Sequence, residues 1–330
     1  MKHYRSELSI TIDTFQSVKD IQFLPCNDFL FHVINIVSIW SEDIVAAKNL
    51  ALSINNDIVF INTYMDFGGG TLLWIYKHLS LHHLNNEFMM KSSTNLVHLS
   101  SVVKINDISV GNLFYDGAWQ KPIKGMYWKH NDSLWANATQ SDIKKCYQSA
   151  KKGFKTWSNM SINARIQILS KFMPILKLTG KVIIATIVER WIKFPYLFEN
   201  IQGYIENKMT EILFTRKPLG VIIILREENE NILFFRLMQI LISGNSVIVI
   251  FDANFCNPSS YYDMFSRCEI PPGVINLLSH ENISSLESKL CLEDYTTYAS
   301  RYFLKGTSVD TYFLPFIKLT TQRRIMIPFR

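Results

Sequence analysis

Two short runs in this chain are apolar almost throughout: Leu219–Leu225 and Ser246–Phe251. A strand with one wet face alternates apolar and polar side chains. A strand without alternation needs cover on both faces. Between the two runs, Asn231–Ser243 carries apolar residues at helical spacing and stops at Gly244-Asn245, a C-terminal signal. A short helix over Pro258–Arg267 and a turn at Pro271-Pro272-Gly273 lead into a third run, Val274–Leu278. This order predicts an α/β fold with a parallel sheet and flanking helices.

Ahead of that block the pattern is more broken. Ser9–Phe15 alternates and predicts a strand, and Phe29–Trp40 predicts a buried one. Ser41-Glu42-Asp43 reads as a helix start, with Ile44, Ala47, Leu50, Ala51 and Ile54 at helical spacing up to Asn55-Asn56-Asp57. Ile58–Ile61 predicts a further strand, with Gly68-Gly69-Gly70 in the loop beyond. Residues 81–111 are polar and read as a linker with one short strand at Ser101–Ile105. Asp116-Gly117 predicts a tight turn between two short strands. Ser141 is expected to cap a helix with Ile143, Cys146, Tyr147, Ala150, Phe154 and Trp157 inward. A second helix from Ser161 should end or kink at Pro174, and a third over Lys181–Met209 should break near Pro195.

Composition narrows the class. Hydrophobic residues make up 48% and charged residues 19%, which excludes a disordered chain or a coiled coil. No apolar run reaches ~18 residues without a charge, so no spanning helix is expected. Met1–Asp13 holds no apolar stretch of the secretory kind. The five cysteines show no C-x-x-C spacing, so reduced thiols, no metal site and a cytoplasmic location are expected. A net charge of +6 is mild for this length, and neither a nucleic-acid nor a membrane partner is expected from it.

Several segments together resemble the aldehyde dehydrogenases. Arg216-Lys217-Pro218-Leu219-Gly220-Val221 is similar to the approach to that family's first cofactor-domain strand. Ser243-Gly244-Asn245-Ser246-Val247 and Pro271-Pro272-Gly273-Val274-Ile275-Asn276 resemble the starts of its next two strands. Phe154, Trp157 and Arg165 match a helical segment before them. Ser38–Asp43 and Ile58–Asn62 resemble a helix–strand unit near the family's C-terminus. The end of one unit thus precedes the front of a second, an order similar to the tandem aldehyde dehydrogenases of family sixteen. The resemblance implies four stretches. Residues 1–80 are a remnant of the C-terminal part of a catalytic domain, and 81–111 a linker. Residues 112–300 are an N-terminal and cofactor-type half domain with an incomplete Rossmann-like sheet, and 301–330 a divergent tail.

The family's reaction implies a thiolate nucleophile, a Glu base, an oxyanion-binding Asn and bound NAD(P). The Asn loop aligns with Arg226–Asn231, which offers Asn229 or Asn231 amid acids. The family's ribose-binding Lys aligns with Ile250, or with Phe251 after a one-residue slip, and Asp252 is the acid that remains. The Glu-Leu-Gly-Gly and Gly-Gln-x-Cys segments do not occur in the 330 residues. In the first unit, Lys2 and Tyr4 stand where the resemblance places a ribose-binding Glu and a nicotinamide-contacting Phe. No catalytic residue is therefore expected, and the cofactor positions Asn229, Ile250 and Asp252 read as degenerate. Three generic patterns read as structural: the Gly68–Gly70 loop, the i,i+4 pair His78 and His82, and Ser149 with Lys152 as an S-x-x-K match. Three functions remain open. One is a catalytically inactive family member acting through a protein partner or as a homo-oligomer. The others are an NAD(P)-dependent aldehyde oxidoreductase and a truncated product without independent function.

Overall fold

The computed structural model describes residues 36–54, 56–63, 109–130, 133–198, 204–207, 210–225, 229–251, 259–303, 316 and 318–328. In chain order the first elements are β1 (Ile36–Ile39), α1 (Ile44–Ser53), β2 (Ile58–Ile61), β3 (Ser109–Gly111), β4 (Leu113–Tyr115), β5 (Ala118–Gln120), β6 (Tyr127–His130) and β7 (Ser133–Ala136). Four helices follow: α2 (Gln140–Ser158), α3 (Ile162–Ser170), α4 (Phe172–Leu178) and α5 (Val182–Phe198). Then come β8 (Tyr204–Asn207), β9 (Thr210–Pro218), β10 (Val221–Leu225), α6 (Glu230–Ile242), β11 (Ser246–Phe251), α7 (Ser259–Arg267) and β12 (Ile275–Ser279). The last are α8 (Ile283–Leu290), α9 (Tyr295–Tyr302) and β13 (Thr320–Pro328). The expected strands at Ser9–Phe15 and Ser101–Ile105, and the Gly68–Gly70 loop, lie outside the described residues.

The chain divides into two compact units. One comprises Met1–Gly69, Tyr204–Leu213 and Arg323–Arg330. In it β1 and β2 pair in parallel from Ile36↔Ile58 to Ile39↔Ile61, with α1 as the crossover. The helix starts where the sequence suggests, with Asp43 as the cap: its carboxylate accepts from Ala46 N at 2.9 Å. β13 extends the sheet, parallel to β2 from Arg324↔Ile58 to Met326↔Phe60. Ile39, Ala47, Ala51, Val59, Ile61, Ile325 and Ile327 form the core. The buried Arg323 guanidinium donates to the carbonyls of Ala51, Leu52 and Ile54. Those groups end a helix and have no intrahelical partner, so one side chain from β13 closes α1.

The other unit comprises Gly70–Gly203 and Phe214–Gln322. Its larger sheet runs β10-β11-β12-β4-β5, and β3-β7-β6 form a second. β10, β11 and β12 are parallel, as their unbroken apolar runs require. Period-two alternation sends their side chains to opposite faces. Ile222, Ile224, Val247, Val249, Phe251, Ile275 and Leu277 join a core built with α3 to α7. Ile223, Ile248, Ile250 and Leu278 join a core built with α2, α8 and α9. The crossovers α6 and α7 contribute to the same core, as successive right-handed connections in one direction require. β4 and β5 form the expected hairpin. Its turn residues Asp116 and Gly117 sit at φ 54° and 75°, the left-handed pair of a type I′ turn. The outer edge of β10 is closed at one point, where Ile223 N–H donates to the Tyr298 hydroxyl at 3.0 Å.

Four local expectations are corrected. Thr139, not Ser141, caps α2, because Thr139 and Asp142 form a reciprocal capping box. The break expected at Pro174 falls at Lys171, and Pro174 sits in the first turn of α4, where a missing donor is harmless. α5 runs past Pro195 to Phe198, since a proline in the last turn removes only one ladder bond. The expected helix to Met209 gives way to β8, where Tyr204–Asn207 pairs antiparallel with Thr210–Leu213.

α2 lies close against the sheet. A Cβ on Gly153 would meet the carbonyl carbon of Gly273 at 2.1 Å and its oxygen at 2.4 Å. Alanine in place of a helical glycine ordinarily gains about 1 kcal/mol. Here the clash is with backbone, which no rotamer relieves, and overpacking costs about 1–3 kcal/mol. Gly153→Ala is therefore expected to lower the urea midpoint. Lys152→Ala, one residue away on the exposed face, should leave it nearly unchanged. A Gly153→Ala variant as stable as the parent would contradict the close approach.

Candidate functional site

In open α/β sheets ligands bind outside the carboxyl ends of the parallel strands. Here those ends are Leu225, Phe251 and Ser279, with Asn229 capping α6 and Asn282 capping α8. The Asn229 side chain accepts from Asn231 N at 2.8 Å, so its oxygen is engaged in the helix start. The Glu230 carboxylate follows in the first turn, where the helix dipole favours an anion. Lys181 Nζ donates to it at 3.1 Å, and the Tyr261 hydroxyl donates to it as well.

At the end of β11, Ile250 is buried at 3% exposure among the residues facing α2. Phe251 points to the other face and stacks on Trp135, ring centroids 3.9 Å apart. Both rings are buried. At the end of β12, Ser279 Oγ donates to Ala136 O at 2.5 Å, and Ala138 N donates to Ser279 O at 2.9 Å. His280 Nδ1 accepts from Asn282 N at 2.8 Å. Partial burial, aided by Lys289, holds the His280 pKa below its usual value.

Among the described residues, the carboxyl edge is thus lined by groups with internal partners. Asn229 and Ile250 lie on adjoining connections but face different surroundings. Asp252, Glu227, Glu228, Lys2, Tyr4, His78 and His82 lie outside the described residues. Ser149 and Lys152 are not brought together. Ser149 Oγ is buried, accepts from Asp116 N at 2.9 Å and donates to Asn276 Oδ1 at 3.2 Å, whereas Lys152 is exposed. The Trp135 ring over Phe251 is the feature that sequence reasoning missed. Its one trace in the sequence is a bulky aromatic on a short strand of mixed character.

Among the described residues no group of three His, Cys, Asp or Glu side chains could hold a metal ion. No described helix is long and apolar enough to cross a membrane. Cys146, Cys268 and Cys291 are free and buried. Burial pushes the Cys146 thiol far up, with Asp116 and Asp142 adding to it. Burial likewise raises Cys268 to about 11 and Cys291 to about 12.

Comparison with known proteins gives one family. Residues 132–193 match the model of the aldehyde dehydrogenase family, a stretch holding β7, α2, α3, α4 and most of α5. The protein named "Putative aldehyde dehydrogenase FUS7" in Gibberella fujikuroi is 23% identical over 183 residues, 47% of this chain and 38% of the relative. Its namesake in Gibberella moniliformis matches equally. The chain thus spans well under half the length of the curated relatives it matches. Among solved structures, a "putative methylmalonate-semialdehyde dehydrogenase" from Sinorhizobium meliloti 1021, complexed with NAD, has a TM-score of 0.50 at 17% identity. It covers 57% of this chain and 44% of that one. These likenesses support a relationship to the aldehyde dehydrogenase superfamily. The structural likeness bears on the fold, and the matched family segment ends before β10, β11 and β12 begin.

A thiol with a raised pKa stays protonated at neutral pH, and the thiolate is the nucleophile. Cys146, Cys268 and Cys291 should therefore resist iodoacetamide at pH 8 in the native chain and react at once in denaturant. Peptide mapping separates them from Cys26 and Cys256. Rapid native labelling of any of the three would contradict their burial.

Proposed function

We propose that this chain is an aldehyde-dehydrogenase-like protein that does not itself oxidise aldehydes and works through contact with another protein. The observation that carries the reading is that the described residues at the carboxyl edge of the parallel sheet are apolar and buried or engaged within the chain. Ile250, at the position aligned with the family's ribose-binding lysine, is apolar and buried, so it offers a nucleotide no hydrogen bond. Phe251 is covered by Trp135, Asn229 is engaged with Asn231, and Glu230 places a carboxylate where a phosphate would meet a helix N-terminus. These residues do not fit NAD(P). The raised thiols point the same way, as does the lack of the family's Glu-Leu-Gly-Gly and Gly-Gln-x-Cys strings within the 330 residues.

Asn229, Ile250 and Asp252 are read as degenerate counterparts of cofactor contacts. The order of segments supports kinship with the tandem members of family sixteen. A cytoplasmic location suits the free thiols. The alternative, NAD(P)-dependent oxidation of an aldehyde, rests on the family likeness.

The full chain, incubated with NAD or NADP and a panel of aldehydes, is expected to form no reduced cofactor above the blank. Calorimetric titration should give no saturable heat at submillimolar cofactor. Turnover abolished by mutating one cysteine, or a micromolar dissociation constant for either cofactor, would establish the alternative.

A further inference from the structure

Among the exposed large apolar side chains of the larger unit, two groups are close in sequence. One is Leu178, Val182 and Ile183, where α4 turns into α5, and the other is Ile123 and Met126, between β5 and β6. The cations beside them differ. At the helix corner Lys181 is paired with Glu230 at 3.1 Å, and Lys177 acts on Glu189, whose carboxyl pKa it helps to lower. Beside Ile123 and Met126 stand Lys121, Lys124 and Lys129, all exposed. Among the described residues, none of these three ammonium groups has an ion pair or a hydrogen bond.

The turn that carries them is preformed. Gly125 N donates to Pro122 O at 2.8 Å, which closes a β-turn with Ile123 and Lys124 at its tip. Ile123 N donates to the buried Asp142 carboxylate at 3.0 Å, and Met126 O accepts from Asn137 N at 2.9 Å. Pro122 is buried, whereas Ile123 is 47% and Met126 45% exposed. A turn fixed in this way loses little conformational freedom when its side chains meet a partner.

The chemistry of the turn selects that partner. Unpaired lysines around aliphatic tips match a surface that is anionic outside and apolar beneath, as a bilayer with acidic headgroups is. The aliphatic side chains enter the boundary between headgroups and chains, and the lysine stems reach back so that the ammoniums stay among the phosphates. Each lysine near such a surface is worth about fivefold in affinity. A protein partner would need about 800 Å² on each side, more than one turn presents. Nucleic acids stack bases on exposed aromatic rings and are held by arginine forks. Here the exposed apolar side chains are aliphatic, Tyr127 and Trp128 are half-buried, and residues 112–144 hold no arginine. The mild net charge of the whole chain gave no reason to expect a membrane partner. In physiological salt, however, a headgroup feels little of any charge more than about 8 Å away, so the local cluster decides.

We infer that the β5–β6 turn, Lys121–Lys129, binds the surface of an anionic lipid bilayer. The inference goes beyond the protein-contact reading and does not depend on it.

The test mixes the full chain with sucrose-loaded vesicles and measures the bound fraction after sedimentation. One set holds phosphatidylserine and phosphatidylcholine in equal parts, the other phosphatidylcholine alone. The parent should bind the mixed vesicles at low salt at least tenfold more tightly than the neutral ones, with affinity falling as salt rises. Lys121→Gln/Lys124→Gln/Lys129→Gln should lose at least tenfold, and Ile123→Ser/Met126→Ser at least fivefold. The control Leu178→Ser/Val182→Ser, at the helix corner, should lose less than threefold. If Ile123→Ser/Met126→Ser melts early by circular dichroism, Lys124→Glu at the exposed tip supplies the reading, with a loss of at least fivefold. No binding of the parent to mixed vesicles, equal binding to neutral ones, retained binding by either turn variant, or an equal loss in the control overturns the inference. So does binding of labelled poly-glutamate or single-stranded DNA as tight as that of mixed vesicles, which would assign the turn to a protein or a nucleic acid. Aldehyde turnover and cofactor affinity do not enter these readouts, so the two readings fail separately.

Discussion

The larger unit depends on one close backbone contact, where α2 crosses the turn that leads into β12. Gly153 lies over the Gly273 carbonyl, and Gly273, at φ 81°, leaves no room for a Cβ beside the Ser149 carbonyl. The approach puts polar groups within reach of one another in a place without water. Asn276 donates to Val247 O at 3.0 Å and to Gly273 O at 2.7 Å, and accepts from Ser149 Oγ. Ser149 in turn accepts from Asp116 N of the hairpin turn. Ser246 Oγ donates to Ala150 O at 2.9 Å, and Trp157 Nε1 to Leu241 O at 2.8 Å. One helix is thereby tied to β4–β5, β11, β12 and the end of α6. A satisfied buried hydrogen bond adds only about 1 kcal/mol, but leaving one partner unmatched costs about 1–3 kcal/mol. The network therefore fixes the seating of α2 more than it adds to total stability.

The end of α6 shows the same logic with a charge. Asn245 Oδ1 accepts from Gly220 N and Nδ2 donates to Leu319 O, which binds the start of β11 to the approach of β10. Arg165 of α3 packs against Gly244, where a Cβ would lie 1.9 Å from Nη1. Its Nε and Nη1 are buried without a hydrogen-bond partner among the described residues, and burial lowers the guanidinium to about 10, still a cation at neutral pH. What faces it is the carboxyl end of α6, whose dipole is negative. The glycine that ends the helix thus also makes space for the cation beside that end.

Much of this was legible in the sequence. β11 and β2 were read to the residue and the Asp116-Gly117 turn to its place between two short strands, because unbroken apolar runs and an Asp-Gly pair have few other solutions. β8, β9 and β13 were not, because Thr210–Pro218 and Thr320–Pro328 mix charges with β-formers and gain their place only from partners distant in sequence. The same limit applied at the carboxyl edge. Ile250 could be read as a poor hydrogen-bonding residue from its side chain alone. That Asn229 caps α6 and accepts from Asn231 is a local contact of a kind a helix start encodes, whereas that Trp135 covers Phe251 is a fact of tertiary packing that no local pattern encodes. The basic residues of α2 were visible one by one. That they share the exposed side of the helix emerged only with the helix phase, which the buried Cys146, Ala150 and Trp157 set.

The closed edge is also not one substitution deep. A lysine at 250 would emerge on the face shared by Ile223, Ile248 and Leu278, where its ammonium would be surrounded by apolar side chains. Burying an unpaired charge there would cost several kcal/mol, or leave the amine neutral and unable to act as a cation. Removing Trp135 would open the end of β11 on the opposite face, but the cavity would cost about 3–5 kcal/mol. Glu230 would still repel a phosphate, and freeing it would strip Lys181 of its carboxylate and leave the Tyr261 hydroxyl to find a new acceptor. Each change toward a nucleotide site thus draws on the stability of the sheet before it yields any binding. The packing at the described part of this edge and the packing that holds the sheet together are the same contacts.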